Sequence, residues 1–483
     1  MKENRMYING EWVTASDGTM FDDLNPYTGE IFARLANAGK NDTRLAINAA
    51  AEAFPAWAAM EPAKKRILFS KAADIVEKRK DEIIPMLAEE TGAALPFGIF
   101  QSLISPEFLR EAASQVHRVT GKIIPAEIPD CFSMVLRQPV GVVGAISPWN
   151  APLVLSLRAI CFPIAYGNTT VLKPSSESPV TGGVLIAQIF EEAGFPKGVL
   201  NVVTNGPGRS EEVGNELVTD KRVRRITFTG STDVGRELAE KCGKQLKKIT
   251  LELGGNDPVI ILNDADIDYA VNATTFGRFM HQGQVCMNSK RIIVEKSIAP
   301  EFIDKFVRKV SSLKVGNPKN ADTIIGPLIN SRQLDRLKAQ VEKAVSEGAK
   351  VLCGGRHEGN CYYPTVLSDV TEKMQIFYEE TFGPVAPVIT AEDWEDALRI
   401  ANNSSYGLAA GVITTDLNKG LRIAQKLETG VVHVNDSSLG DETHAPLGGM
   451  KDSGWGKNGM EAVEEFTEIR WVTLQMKNRH FPI

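Results

Sequence analysis

Cys286 stands at the centre of the run Q-G-Q-V-C-M-N-S, Gln282 to Ser289, between a helical pattern over Tyr269 to Met280 and a strand-like Arg291 to Glu295. A thiol at such a junction is placed to react, whereas a thiol on a packed face is a small, inert hydrophobe. The pattern by itself leaves both readings standing. Gln282, Gln284, Asn288 and Ser289 are polar and cannot all be buried without partners, so the loop is expected to be either solvated or arranged around a ligand. Glu252 alternates with Leu251 and Leu253 and points to the opposite strand face, beside Gly254-Gly255, where backbone can approach closely; alone it reads as a hydrogen-bonded strand carboxylate. Asn150, after Pro148-Trp149, reads either as an amide donor to an oxyanion or as the cap of the next helix.

Other stretches carry weaker chemistry. Gly230-Ser-Thr-Asp-Val-Gly235 follows a strand and opens a helix, so its N–H groups can face a phosphate. Its spacing is not G-x-G-x-x-G, and it continues Arg236-Glu237 where a triphosphate loop needs Lys and Ser or Thr, which argues against triphosphate hydrolysis. A dinucleotide site and a tight turn both remain. His281 invites a Cys-His hydrolase reading, but nothing in the spacing brings its imidazole to the thiol. Cys353, His357 and Cys361 offer soft ligands without a fourth, in a glycine-rich surface turn, and no metal is expected there.

The elements that position these residues follow from pattern. Residues 1 to 39 read as short strands, with Asn9-Gly10 a hairpin turn and Asn25 to Gly29 another. Helices follow to about His117, with Asp42 capping the first and Pro62 opening the second. From Pro139 strand and helix alternate: Val140 to Ile146, Thr169 to Leu172, Val199 to Val203, Arg225 to Thr229 and Ile249 to Leu253 are short and apolar on both faces, the mark of a parallel sheet covered by helices. In a doubly wound sheet ligands bind beyond the carboxyl ends of the strands, where the polar residues of interest fall. A second alternation runs from Val259 to about Leu439. Cys131 to Gln138 and Ile469 to Met476 are strand-like segments outside both, and pairing with another subunit is one way to cover them.

At 483 residues the chain exceeds one ordinary domain, with 43% hydrophobic and 24% charged residues and no run long enough for a membrane span. A net charge of −6 with scattered basic residues disfavours nucleic acid and anionic membranes. The start M-K-E-N-R-M-Y-I-N-G lacks the apolar core of a signal peptide, and six dispersed cysteines suit a reducing compartment, so a cytoplasmic protein is expected.

P-W-N at Pro148 to Asn150, K-P-S at Lys173 to Ser175, F-T-G-S-T at Phe228 to Thr232, L-E-L-G-G-N at Leu251 to Asn256, G-Q-x-C at Gly283 to Cys286, E-E-x-F-G-P at Glu379 to Pro384 and P-L-G-G-M-K-x-S-G at Pro446 to Gly454 stand in one order over essentially the whole chain. In this the sequence resembles the NAD(P)-dependent aldehyde dehydrogenase superfamily. The resemblance implies an α/β fold of two doubly wound domains plus a small β oligomerisation arm. The cofactor domain would comprise 1–118 and 139–252, the catalytic domain 253–445, with 446–468 returning to the cofactor domain and 119–138 and 469–483 forming the arm of a homodimer or homotetramer.

The implied chemistry is addition of the Cys286 thiolate to an aldehyde, stabilisation of the alkoxide by the Asn150 amide and the Cys286 N–H, hydride transfer, and hydrolysis of the thioester by water that Glu252 activates. The resemblance places Lys173 at the adenosine ribose, Gly230 and Ser231 at the pyrophosphate, and Glu380 at the nicotinamide ribose with Phe382 nearby; Ser147, Trp149, Ser175 and Gly254 complete the cofactor's surroundings. Many members read K-P-S-E where this chain has Ser176, and loss of that carboxylate removes repulsion toward a 2′-phosphate, so NADP is expected to be tolerated or preferred over NAD, with Glu177 and Arg209 nearby. W-N-A-P-L-V-L-S-L-R-A-I and His444 to Gly456 look like the benzaldehyde, vanillin and salicylaldehyde branch, in which Arg158 either holds a polar ring substituent or pairs with a carboxylate. The alternatives are the same chemistry on an aliphatic aldehyde or semialdehyde, a Cys-dependent hydrolase, and a non-catalytic scaffold. Retention of Cys286, Glu252 and Asn150 together argues against the last.

Overall fold

Five short strands, buried on both faces, lie parallel in the order Lys248–Glu252, Val223–Thr229, Val142–Ile146, Thr169–Lys173, Leu200–Val202. The computed structural model that defines them describes residues 3–483. Alternation sends Val143 and Ala145 to one face, against Ile160 and Phe162 of the helix Pro152–Ala165 and Phe69 of Pro62–Lys78. Val142 and Ile146 go to the other, against Ile47 of Lys40–Ala59 and Val213 of Ser210–Thr219. Chain order reverses between Val142–Ile146 and Val223–Thr229, so the segments leaving these two strands diverge and open a crevice.

Antiparallel strands close both edges and complete eight strands. On one side the hairpin Met6–Ile8 and Glu11–Val13 turns at Asn9 and Gly10, whose φ of 53° and 74° are the left-handed values such a turn requires. On the other, Gly454–Trp455 pairs with Leu251 and Glu252, so a segment late in the chain seals the strand that carries Glu252.

Pro62 opens its helix as expected, but Asp42 is not the first cap. The helix Lys40–Ala59 starts after Gly39, and Asp42 reaches back from the third helical position to accept the N–H groups of Gly39 and Ser16, both at 2.9 Å. A carboxylate serves orphan donors from inside the first turn as well as from before it.

A second sheet of seven strands runs Lys350–Cys353, Thr365–Ser368, Val385–Ala391, Arg291–Glu295, Pro258–Ile261, Ala409–Ile413, Val431–Val434 and is parallel except at its first pair. The strand-like segments left over in sequence pair first with each other: Cys131–Pro139 and Thr467–Gln475 run antiparallel, in register from Thr467 opposite Pro139 to Gln475 opposite Cys131, with Gly121–Ile124 on the far side of Cys131–Pro139. The two chain-distant strands satisfy each other's ladders and leave free edges on Thr467–Gln475, where Ile469 and Trp471 are exposed, and on Gly121–Ile124, where Ile123 is exposed. Among the described residues no helix is long and apolar enough to cross a membrane.

Arg291, fully buried at the head of its strand, clamps the seven-stranded sheet to its surroundings. Its Nε donates to the Asn256 carbonyl at 2.9 Å, and Nη1 and Nη2 donate to the Ile400 and Ala401 carbonyls at 2.8 and 2.7 Å, ending the helix Trp394–Asn402. Arg291→Ala strands three buried carbonyls and is expected to cost about 3 kcal/mol or more, read as a fall of several degrees in Tm by calorimetry. An unchanged Tm would reject the clamp.

Candidate active site

The Cys286 loop follows the helix Ile267–Phe279 and the turn Met280–Gly283, in which His281 and Gln282 both take left-handed backbone angles. Its polar residues are neither solvated nor turned to a ligand. Gln282 Nε2 donates to the carbonyls of Gly92 at 2.8 Å and Pro327 at 3.0 Å, and Gln284 Oε1 accepts the Ile329 N–H at 3.1 Å. Asn288 Oδ1 accepts the Val285 N–H and its Nδ2 donates to the Gly277 carbonyl, each at 2.7 Å, while Ser289 Oγ meets Ser438 Oγ at 2.9 Å. All four side chains are fully buried, because irregular backbone inside a protein needs side-chain partners where a strand or helix would supply its own. Gly283, at φ 72°, lies where any side chain would strike the Gly383 carbonyl, and a Cβ on Gly255 would lie 2.8 Å from the Cys286 carbonyl oxygen.

Two clefts meet at this loop and share Asn150, Leu155 and Cys286. One, of about 120 Å³, lies in the crevice at the reversal of strand order and is lined by Trp149, Gly230, Ser231, Gly254, Glu380 and Phe382, with Trp149 and Phe382 edge to face at 5.6 Å. The other, of about 100 Å³, is a tunnel walled by Phe97, Phe100, Phe276, Met280 and Leu439, with Arg158 and Asp441 as its charged groups. Asn150 is not a helix cap. The helix begins after Ala151, and Asn150 Nδ2 donates to the Gln284 carbonyl at 2.9 Å, which anchors the amide beside the thiol.

Burial sets the charge states. The Cys286 thiol is pushed up to about 12, chiefly by desolvation, against the nearby Lys290 ammonium. Lys290 is itself fully buried, donates to the Val285 carbonyl at 3.2 Å and to the Cys286 carbonyl, and faces Glu380 at 3.4 Å and Asp257 at 4.0 Å. Desolvation raises the Glu252 carboxyl above the usual range, with Arg158 pulling the other way. Glu252 Oε2 faces Arg158 Nη1 at 3.4 Å and Oε1 accepts the Asn458 amide. Arg158 also donates to Asp441 and lies over the Phe108 ring at 5.1 Å.

The other sequence candidates divide. Lys173 is buried with a single long contact, to the Pro174 carbonyl at 3.5 Å, and burial lowers its ammonium to about 8; a buried ammonium with spare donors fits a polyhydroxyl ligand such as a nucleotide ribose. Gly230 and Ser231 lead into the helix Thr232–Lys244, whose N-terminus gives onto the first cleft. Glu380 accepts the Gly255 N–H at 3.1 Å. Ser147, Ser175 and Arg209 face protein: Ser147 Oγ meets Ser156 Oγ at 2.6 Å, Ser175 Oγ accepts the Glu177 N–H at 3.2 Å, and Arg209 pairs with Asp17 at 2.7 Å while donating to the Asn37 carbonyl at 2.9 Å. Ser176 is half-buried, beyond the strand Thr169–Lys173. His281 stacks on Phe97 at 4.3 Å with neither ring nitrogen partnered, and burial lowers it to about 3, so no Cys-His dyad forms.

Sequence reasoning missed Asp441, Asn458 and Lys290. Only Lys290 carried a signal, as a cation just after the nucleophile candidate. The thiol's high position predicts that alkylation of the cofactor-free protein by iodoacetamide accelerates about tenfold per pH unit from about pH 7 to 10, because only the thiolate reacts. A plateau near neutral pH would show a preformed thiolate.

Residues 12–472 match the model of the aldehyde dehydrogenase family. The chain is 42% identical to a vanillin dehydrogenase of Pseudomonas fluorescens over 99% of both chains. It is also 42% identical to a benzaldehyde dehydrogenase of Bacillus subtilis, over 99% of this chain and 98% of the relative. The crystal structure of a salicylaldehyde dehydrogenase from Pseudomonas putida G7 complexed with salicylaldehyde superimposes with a TM-score of 0.98 at 41% identity over the whole of both chains. The chain therefore belongs to the aldehyde dehydrogenase family, and is an NAD(P)-dependent oxidoreductase acting on aldehydes.

Proposed function

We propose that the protein oxidises aromatic aldehydes to carboxylic acids with Cys286 as nucleophile, Asn150 as oxyanion donor and Glu252 as general base. The observation that carries this reading is the meeting of two unlike clefts at Cys286 and Asn150, one at the sheet crevice with Gly230, Ser231, Gly254 and Glu380 in its lining, the other walled by Phe97, Phe100 and Phe276. An aromatic aldehyde fits the second, and the salicylaldehyde, vanillin and benzaldehyde specificities of the relatives support the choice.

Burial favours the thiol form of Cys286, and its proton passes to water as the sulfur adds to the carbonyl carbon to form a thiohemiacetal. The developing oxyanion takes the Asn150 N–H not used by Gln284, together with the Cys286 N–H. Lys173, Ser231, Glu380 and Phe382 would hold NAD or NADP, which would supply the hydride acceptor. The thioester left on Cys286 is attacked by water whose proton Glu252 removes, and the burial that raises this carboxyl makes it a better base near neutral pH. Arg209, held by Asp17 and Asn37, has a structural role in this scheme, and Ser176 leaves the site open to a 2′-phosphate.

We further propose the division into 1–118 with 139–252 and 446–468 for the cofactor, 253–445 for catalysis, and 119–138 with 469–483 as an oligomerisation arm; sheet membership and the free edge of Thr467–Gln475 support it. A homodimer or homotetramer in the cytoplasm follows, in keeping with six unbridged cysteines.

Initial rates with benzaldehyde, vanillin, an aliphatic aldehyde and succinic semialdehyde, each with NAD and NADP, test the reading. Much higher kcat/KM for the aromatic pair is expected, and preference for the others would discard the aromatic assignment while leaving the mechanism. Glu252→Gln should give a rapid burst of reduced cofactor followed by turnover slowed about 10²-fold or more; unchanged steady-state turnover would remove Glu252 from the role of base.

A further inference from the structure

Every residue of the helix Pro152–Ala165 is buried, and in its middle stands Arg158. A guanidinium there needs anionic partners, and it has two: Glu252 at 3.4 Å through Nη1 and Asp441 through Nη2. Both terminal nitrogens thus face carboxylates, which leaves Arg158 poorly placed to serve as the hydrogen-bond donor to a ring substituent. Asp441 is in the complementary state. It lines the tunnel with Leu439 and Gly440, Arg158 occupies Oδ2, and Oδ1 has no hydrogen-bond partner.

Among the described residues three buried carboxylate oxygens lack a hydrogen-bond donor, on Asp23, Asp257 and Asp441, and of these only Asp441 lines the tunnel, whose other residues apart from Asn150, Arg158 and Cys286 are apolar. We propose that Asp441, a tunnel-lining residue held by the Arg158 pair, is a specificity-determining residue: its carboxylate accepts, through the Oδ1 that pair leaves over, a hydrogen bond from a hydroxyl group on the ring of the aldehyde. The proposal rests on the aromatic-aldehyde reading and sharpens it to ring-hydroxylated aldehydes. It also fixes the polarity of recognition. An arginine would donate to a methoxy oxygen as readily as to a hydroxyl, whereas a carboxylate paired with Arg158 accepts, and discriminates in favour of the group that carries a hydrogen.

The test compares ortho, meta and para hydroxybenzaldehydes with their methoxy and fluoro counterparts, as kcat/KM in the wild-type enzyme and in Asp441→Asn. In the wild type, hydroxyl is expected to exceed methoxy and fluoro by about ten- to a hundredfold at one ring position, the worth of a hydrogen bond to a charged acceptor. In Asp441→Asn the amide oxygen turns to Arg158 and the NH₂ faces the ring, so the hydroxyl-to-methoxy ratio at that position falls to unity or inverts. Each ratio is internal to one protein, so a general loss of activity cancels. Fluoro is small and donates nothing, so its failure to match hydroxyl in the wild type separates hydrogen bonding from size even should Asp441→Asn not fold. Equal rates for all ring substituents in the wild type, or a ratio that survives Asp441→Asn, would overturn the role of Asp441 while the aromatic reading stands. Activity on aliphatic aldehydes alone would overturn both.

Discussion

A buried amide or hydroxyl left without a partner costs on the order of 1–3 kcal/mol, and the Cys286 loop, though Gln282 Oε1 and Gln284 Nε2 stay unpartnered, avoids that cost at most of its polar atoms. Gln282 ties it to Gly92 and Pro327, Gln284 to Ile329, Asn288 to its own backbone and to Gly277, and Ser289 to Ser438. These anchors belong to segments far apart in the chain, so the thiol is fixed only when both large sheets have docked. The loop's rigidity is a property of the whole assembly.

The same economy governs charge. Arg158, Lys290 and Arg291 are buried cations with distinct solutions: Arg158 between two carboxylates, Lys290 between carboxylates and carbonyls, Arg291 on three carbonyls. Each interaction also positions an element of the site, Arg158 the base, Lys290 the backbone beside the thiol, Arg291 the strand that follows the loop. Charges that are expensive to bury are tolerated where they define geometry that apolar packing alone would leave loose.

The parallel sheets were legible in sequence because strands covered on both faces are mostly apolar, as Val142–Ile146 is throughout, whereas Thr169–Lys173 is buried along its length with Thr169, Thr170 and Lys173 among its residues. The pairing of Cys131–Pro139 with Thr467–Gln475 was not, since a strand's pattern names its exposed face and not its partner. Glu252, Asn150 and Cys286 stood out through ordered motifs, and the clefts bring Asn150 and Cys286 together. Asp441 and Asn458 stayed hidden: each meets Arg158 or Glu252 from a loop with no periodicity, where only the folded chain gives the proximity. The burial of the polar loop residues escaped for a related reason, because polarity in sequence cannot tell solvent from backbone as the partner.

The pairing of Gly454–Trp455 with Leu251 and Glu252 bears on how the protein is made. During synthesis the strand Lys248–Glu252 emerges long before its last neighbour, and until residues 454 and 455 leave the ribosome it is an open, apolar sheet edge. Asn458, which donates to Glu252, arrives with the same segment. A nascent chain halted before that point carries Cys286 and Asn150 but presents an unsealed edge to chaperones and to other nascent chains, so one segment, residues 454 to 458, both completes the base's surroundings and covers that edge.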